Sequence, residues 1–166
     1  RTFDGAVFIS ACGRDRFLNY VDKMDSVTGH WANLGLNVSS IEYLEAKNRL
    51  LELEIITKKY FDKFDALISP TTIMQALNVN ETIDIEKMHE RSLLASANTQ
   101  PVNIFGACAI TYPIQSFCNN YVSGKTLPIG LQIICNKDED EKAVEIALSI
   151  EKIFGEPNLP NIEKFL

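Results

Sequence analysis

Apolar positions recur with a helical period most clearly between residues 39 and 62. Ile41, Leu44, Leu51 and Ile55 fall on one side of a helix, and Leu50, Leu53, Ile56 and Tyr60 widen the stripe. Ser39 followed by Glu42 predicts the start. The serine hydroxyl accepts from a backbone N–H three residues on, and the glutamate accepts from the serine's own N–H. Glu45 with Arg49, and Glu54 with Lys58, stand four apart on the outer face. Such a stripe is long and needs a broad surface to cover it.

The pattern before residue 39 is weaker. Residues 14–21, with Phe17, Leu18 and Val21 on one side, predict one short helix, and residues 25–34 another, stopped by Gly35 and Asn37. Three short apolar runs follow the long helix: 66–69, ended by Pro70; 108–114, with Pro113 inside; and 129–135. Runs of this kind predict strands buried on both faces, the second ending or bulging at its proline. Residues 70–91 read as a loop, 90–97 as a helix, and 101–105 as a turn or short helix. Residues 116–126 form a polar connection through which the second and third strands can pair. The last helix is expected to open at Asp138. Its four acids, Asp138 to Glu141, suit the positive end of a helix dipole. Ala143, Ala147, Ile150 and Phe154 face inward, and Gly155 and Pro157 stop it. Three strands and two amphipathic helices make a thin layer. They read as a small α/β domain complete in itself or as one flank of a larger sheet, and the thinness of the layer favours the flank.

Composition narrows the class. The chain has 166 residues, 46% hydrophobic and 23% charged, which is enough for a folded domain with a real core. No apolar run approaches the ~18 residues that a membrane span needs, so no membrane partner is expected. The first residues show no targeting pattern. The lack of an initiator Met suggests a chain that begins inside a longer protein. A net charge of -6 and the lack of a basic cluster argue against direct nucleic-acid binding. Cys12, Cys108, Cys118 and Cys135 have no metal-ligand spacing and point to a reducing compartment.

Candidate chemistry is sparse. His30 and His89 are far apart, with no partner spacing for metal or base work. There is no phosphate loop, no dinucleotide glycine pattern and no nucleophile elbow. Ser39-Ser40 is explained by helix capping. No Ser or Cys sits beside a base in a glycine-lined turn, so no catalytic residue is assigned. Pro70-Thr71-Thr72 follows a strand, where sites in α/β sheets collect. It is either substrate-facing or a plain strand-ending turn.

Three segments in order carry a resemblance. They are Leu34-Gly35-Leu36-Asn37-Val38-Ser39-Ser40-Ile41-Glu42-Tyr43-Leu44-Glu45-Ala46; Phe64-Asp65-Ala66-Leu67-Ile68-Ser69-Pro70-Thr71-Thr72; and Asn98-Thr99-Gln100-Pro101-Val102-Asn103-Ile104-Phe105-Gly106 through Pro113. Leu127-Pro128-Ile129-Gly130-Leu131-Gln132-Ile133-Ile134 follows them. Together, from about residue 34 to 153, they resemble the C-terminal part of the amidase signature family. The resemblance implies an α/β fold: the C-terminal part of a mixed sheet with helices on both faces, incomplete in this chain. Residues 1–166 would then be one segment of a single domain whose N-terminal and catalytic-motif parts are absent.

That family hydrolyses amides with a Ser–cis-Ser–Lys triad, so the resemblance implies a C–N bond hydrolase with no cofactor and no metal. The missing N-terminal portion is the first implied partner. Phe3-Asp4-Gly5 and Asp140-Glu141-Lys142 are similar to stretches in one subgroup, the A subunits of the glutamyl-tRNA(Gln) amidotransferases. That similarity implies glutamine as the small amide substrate, amidotransferase partner subunits, and a cytoplasmic or mitochondrial location. Where the subgroup holds the glutamine amino group with an Asp, this chain has Ser96, with Asn98 close by. The carboxylate-holding arginine would be Arg14 or Arg16. The substrate-binding candidates are therefore Ser96, Asn98, Thr99, Thr71, Thr72 and Arg14. The alternatives are an amidase for another substrate class, or a non-catalytic binding or assembly module.

Overall fold

The computed structural model describes residues 2–76, 85–114, 121–122, 125–126 and 129–155. The first third is helical. Helix α1 (Thr2–Cys12) is followed by α2 (Arg14–Tyr20), a 3-10 turn at Val21–Lys23, α3 (Ser26–Leu34) and a second 3-10 turn at Gly35–Asn37. Asp25 starts α3, its carboxylate accepting from the N–H groups of Val27 at 3.0 Å and Thr28 at 3.2 Å. Ile9, Phe17 and Ala32 are buried together, with Val21 and Met24 against them, so these helices share a small core of their own. Helix α1 is not predicted by periodicity, because apolar residues run almost all round it.

The long helix α4 (Ser40–Phe61) forms where the stripe predicts it. Its capping box is complete. Glu42 N–H donates to Ser39 Oγ at 3.2 Å, and Ser39 N–H donates to Glu42 Oε2 at 2.8 Å. None of its residues is buried. Ile41 is 70% exposed and Ile55 61%, and Leu44, Leu51, Ile56 and Tyr60 are exposed with them. Its polar side is tied down instead: Lys137 Nζ donates to Glu54 Oε1.

Strands β1 (Leu67–Pro70), β2 (Cys108–Pro113) and, after the short pair β3 (Tyr121–Val122) and β4 (Lys125–Thr126), β5 (Gly130–Cys135) follow. The three longer ones form an antiparallel sheet in the order β1-β5-β2. β2 and β5 pair as the sequence predicts, and β2 ends at Pro113. Most of the expected polar connection lies outside the described residues. Only its β3–β4 hairpin is seen.

Helices α5 (Ile85–Ala95) and α6 (Gln100–Ile104) lie between β1 and β2. α5 starts earlier than the pattern predicts, and part of the expected loop, 77–84, is outside the described residues. Helix α7 (Asp140–Phe154) covers one face of the sheet. Ala143 and Ala147 pack on Tyr112, Ile133 and Cys135, with Ile146 and Ile150 beside them. It starts two residues after Asp138, which takes a left-handed φ of 62° in the turn before it. It stops at Gly155, whose carbonyl accepts from the Tyr112 hydroxyl.

The expectation of burial on both faces fails for two of the three strands, and on β2 the failure is at Ala109 and Thr111, which are exposed. The apolar run at 66–69 predicts a strand buried on both faces. The strand forms, yet Leu67 and Ile68 are exposed, Ile68 by 60%. β1 is the edge of the described sheet and reaches beyond the cover of α7. Among the described residues no helix is long and apolar enough to cross a membrane.

Candidate functional site

Two candidate sites stand out among the described residues, one at the strand ends and one among the helices. The first is built by strand register. Ser69 on β1 and Thr111 on β2 both pair with Gln132 on β5, so the three stand in one row on the face away from α7. Two positions further along β5, Gly130 O accepts from Thr71 N–H at 2.8 Å. A Cβ on Gly130 would come within 2.5 Å of Thr71 Oγ1 and 2.7 Å of Thr111 Cγ2. Only glycine there lets the two threonines meet, and Thr71 Oγ1 lies 3.2 Å from Thr111 Oγ1.

Asn98, from the linker between α5 and α6, closes over this row. Its Nδ2 donates to Pro70 O at 2.6 Å, and its own carbonyl accepts from Gln132 Nε2 at 3.4 Å. Gln132 is 2% exposed. Its Oε1 and the Ser69 Oγ are buried without a hydrogen-bond partner among the described residues. Native interiors rarely leave such atoms unpaired.

The second site is a cavity of about 480 Å³ among α1, α3, α5 and α6, within the size range of small-molecule pockets. Asp4 and Phe8 on α1, Thr28 and Trp31 on α3, and Ser96 and Thr99 wall it. Close backbone approach positions these walls. A Cβ on Gly5 would lie 2.8 Å from Trp31 O, so α1 crosses α3 with no side chain between them. Two of the cavity's hydroxyls, on Ser96 and Thr99, donate to nearby carbonyls. Ser96 Oγ donates to Ser92 O at 2.9 Å, and Thr99 Oγ1 to Ser96 O at 3.3 Å.

A wider cleft of about 1280 Å³ runs alongside, between α1 and α4. Among the described residues its lining includes Asp4, Glu42, Glu45, Glu52 and Arg49. The Ser39 backbone N–H, and then the Ser39 hydroxyl, hold the Glu42 carboxyl below its ordinary range.

The predicted site residues thus divide. Ser96 and Thr99 wall the cavity, whereas Asn98 and Thr71 join the strand-end row. Thr72 Oγ1 donates to Met74 O at 2.8 Å and closes an exposed turn. Arg14 is the exposed first residue of α2 and walls neither opening. Arg16 lines a separate apolar pocket of about 180 Å³ with Phe17 and Tyr20. Sequence reasoning missed Asp4 and Gln132 as site residues. The signals were Asp4 inside the Phe3-Asp4-Gly5 match, and Gln132 as the one polar side chain in an apolar run.

The two thiols of the sheet are not activated. Burial pushes Cys108 and Cys135 above the ordinary thiol range, and the Cys108 thiol donates to Asn136 O at 3.1 Å. Among the described residues no three His, Cys, Asp or Glu side chains gather to hold a metal.

Comparison with known proteins places this arrangement. A 2-amino-5-chloromuconic acid deaminase of Comamonas testosteroni is 28% identical over 151 residues, 87% of this chain and 31% of that protein. A glutamyl-tRNA(Gln) amidotransferase A subunit of Clostridium acetobutylicum is 34% identical over 125 residues, 72% of this chain and 24% of that protein. The matches span only about a sixth to a third of the length of the curated relatives. A crystal structure of an amidase superposes with a TM-score of 0.69 at 19% identity, covering 93% of this chain and 33% of that one. A 6-aminohexanoate cyclic dimer hydrolase gives 0.63 at 22% identity, covering 81% and 29%. These two support the fold: a partial amidase-signature α/β arrangement. The family model described as Amidase matches residues 10–144, and the chain belongs to that family.

Proposed function

We propose that this chain is the C-terminal part of an amide hydrolase, supplying the wall of the substrate pocket and not the nucleophile. The reacting serines and lysine would come from residues upstream of those given. The observation that carries the reading is the match of residues 10–144 to the amidase family in a chain that holds a 480 Å³ cavity. The bare apolar stripe of α4 and the exposed face of β1 support a larger fold around it. The test joins the chain to its native upstream sequence and measures ammonia release from a panel of primary amides. The joined protein is expected to hydrolyse at least one, and the 166-residue chain alone none. A joined protein that folds and releases no ammonia rejects the reading. In that case a monodisperse, cooperatively folded 166-residue chain would point to a binding or assembly module.

A second reading makes glutamine the substrate and amidotransferase subunits the partners. The 34% identity to the Clostridium amidotransferase protein favours it. Ser96 in place of an acid, and Arg14 outside the cavity walls, weigh against it. Glutaminase activity in the joined protein would decide for it.

A further inference from the structure

Among the described residues Gln132 is the one buried polar side chain, 2% exposed in the middle of β5. Packing does not account for it. A methionine would fill much the same volume, and its neighbours along the strand, Leu131, Ile133 and Ile134, are aliphatic. A glutamine here also carries a cost, because its Oε1 is buried without a hydrogen-bond partner among the described residues. What the amide gains is a bond that no aliphatic side chain makes: its Nε2 donates to Asn98 O at 3.4 Å. That acceptor fixes which way the amide points, since the reverse orientation would set two oxygens against each other.

Asn98 lies in the linker 96–99 between α5 and α6. Its Nδ2 donates to Pro70 O, at the end of β1, at 2.6 Å. One residue thus clasps two strands, β1 through its side chain and β5 through its carbonyl. The linker's other bonds are local. Ala97 N–H donates to Leu94 O at 3.2 Å and Gln100 N–H to Ser96 O at 2.8 Å, which shapes the linker without tying it to the sheet. The residues on either side of Asn98, namely Ser96, Thr99 and Gln100, wall the 480 Å³ cavity.

We propose that Gln132 is a positioning residue for the cavity: its buried amide holds the linker 96–99, and with it one cavity wall, in place over the sheet. Gln132 does not line the cavity and acts through Asn98. This role deepens the proposed amide-hydrolase function and rests on the cavity being its substrate pocket.

Hydrogen exchange of the amides of residues 96–100 is followed by mass spectrometry in the chain joined to its native upstream sequence. Gln132→Met keeps the length of the side chain and removes the donor. It is expected to speed their exchange about threefold to tenfold, the scale of one lost hydrogen bond, and to leave the exchange of α7 unchanged. Gln132→Glu separates the bond from the bulk, and it decides if Gln132→Met does not fold. Its protonated carboxyl can donate to Asn98 O and its carboxylate cannot. Ser69, Thr111 and Asn98, which register and hydrogen bonding set against this side chain, do not titrate. Relative to the parent at the same pH, linker exchange in this variant should be fast at pH 8 and return to the parental rate at pH 5, where burial keeps the carboxyl protonated. For each primary amide of the panel that the parent hydrolyses, Gln132→Met should raise KM about threefold to tenfold and leave kcat within about twofold, because the wall binds while the reacting groups lie elsewhere. Equal linker exchange in the parent and Gln132→Met, a Gln132→Glu variant that exchanges alike at both pH values, or a loosened linker with an unchanged KM overturns the proposal. Exchange needs no turnover, so a tethered linker without ammonia release sinks the hydrolase reading alone. Ammonia release with linker exchange unmoved by either substitution sinks the tether alone.

Discussion

Gly5 and Gly35 touch backbone to backbone: a Cβ built on Gly35 would lie 2.2 Å from the Gly5 carbonyl carbon and from Ala6 N. This crossing presses α1 onto the end of α3 and brings Asp4 to the cavity. Gly35→Ala is therefore expected to cost at least 1–3 kcal/mol, the range for overpacking, or to abolish folding. Gly29, on the same helix α3, has its nearest non-local atom at 3.5 Å, an ordinary contact. Gly29→Ala should stabilise by about 0.4–1 kcal/mol through the unfolded chain. Urea midpoints of the two variants check the pair, and similar midpoints would contradict the crossing.

The capping box of α4 gives a pH signature. Ser39→Ala should cost about 1 kcal/mol at pH 7. Glu42 titrates below its ordinary 4.5 when folded, because Ser39 donates to it. A depressed carboxylate stabilises the folded chain above its unfolded pKa, and that stability is lost as pH falls through the folded value. The Ser39 backbone N–H survives Ser39→Ala, so the pH signature is read on the glutamate: the gap in melting temperature between the parent and Glu42→Ala should shrink between pH 6 and pH 3. A gap that stays constant would contradict the reciprocal bond.

At the strand-end row the two small changes should differ in size. Ser69→Ala removes a hydroxyl with no partner among the described residues and is expected to change stability by less than about 0.5 kcal/mol. Gly130→Ala drives a methyl into Thr71 and Thr111 and should cost about 1–3 kcal/mol. Combined with Thr71→Ala, which removes the Oγ1 at 2.5 Å, part of that cost should return. Strict additivity in the double-mutant cycle would show that the two do not meet.

Thiol labelling checks the burial of the β2–β5 pair. Cys108 and Cys135 stand opposite each other in the register, and Cys135 is fully buried. Both thiols lie above the ordinary range because burial disfavours the thiolate. At pH 7.5 iodoacetamide should leave both unmodified in the folded protein and label both in urea, as read by mass spectrometry. Rapid native labelling of Cys135 would contradict the packing of α7.

Much of the frame is legible in the sequence because it is local. Ser39 and Glu42 announce α4, Gly155 ends α7, and Pro113 ends β2, each through contacts within a few residues. The strand at 67–70 is legible as a strand, but its burial is not. An apolar run reports that a face wants cover and not which chain supplies it. Helix α1 hides because its apolar residues lack a single face. In the candidate site, Ser96 and Thr99 come from the family resemblance and not from a local pattern, and they wall the cavity. Asp4 is missed, because it reaches the cavity through a glycine crossing with a partner thirty residues away. Gln132 acquires its neighbours only when three strands set their register.

The bare stripe of α4 bears on how this polypeptide is made. A ribosome releases a chain from its N-terminal end, so any cover encoded earlier is already present when α4 emerges. Ile41, Leu44, Leu51 and Ile55 would then never face water for long. Cover arriving from a separate chain would leave the helix waiting, adhesive to its own copies and to chaperones. Producing the chain with and without its upstream sequence should therefore change the yield of soluble protein as much as it changes any activity.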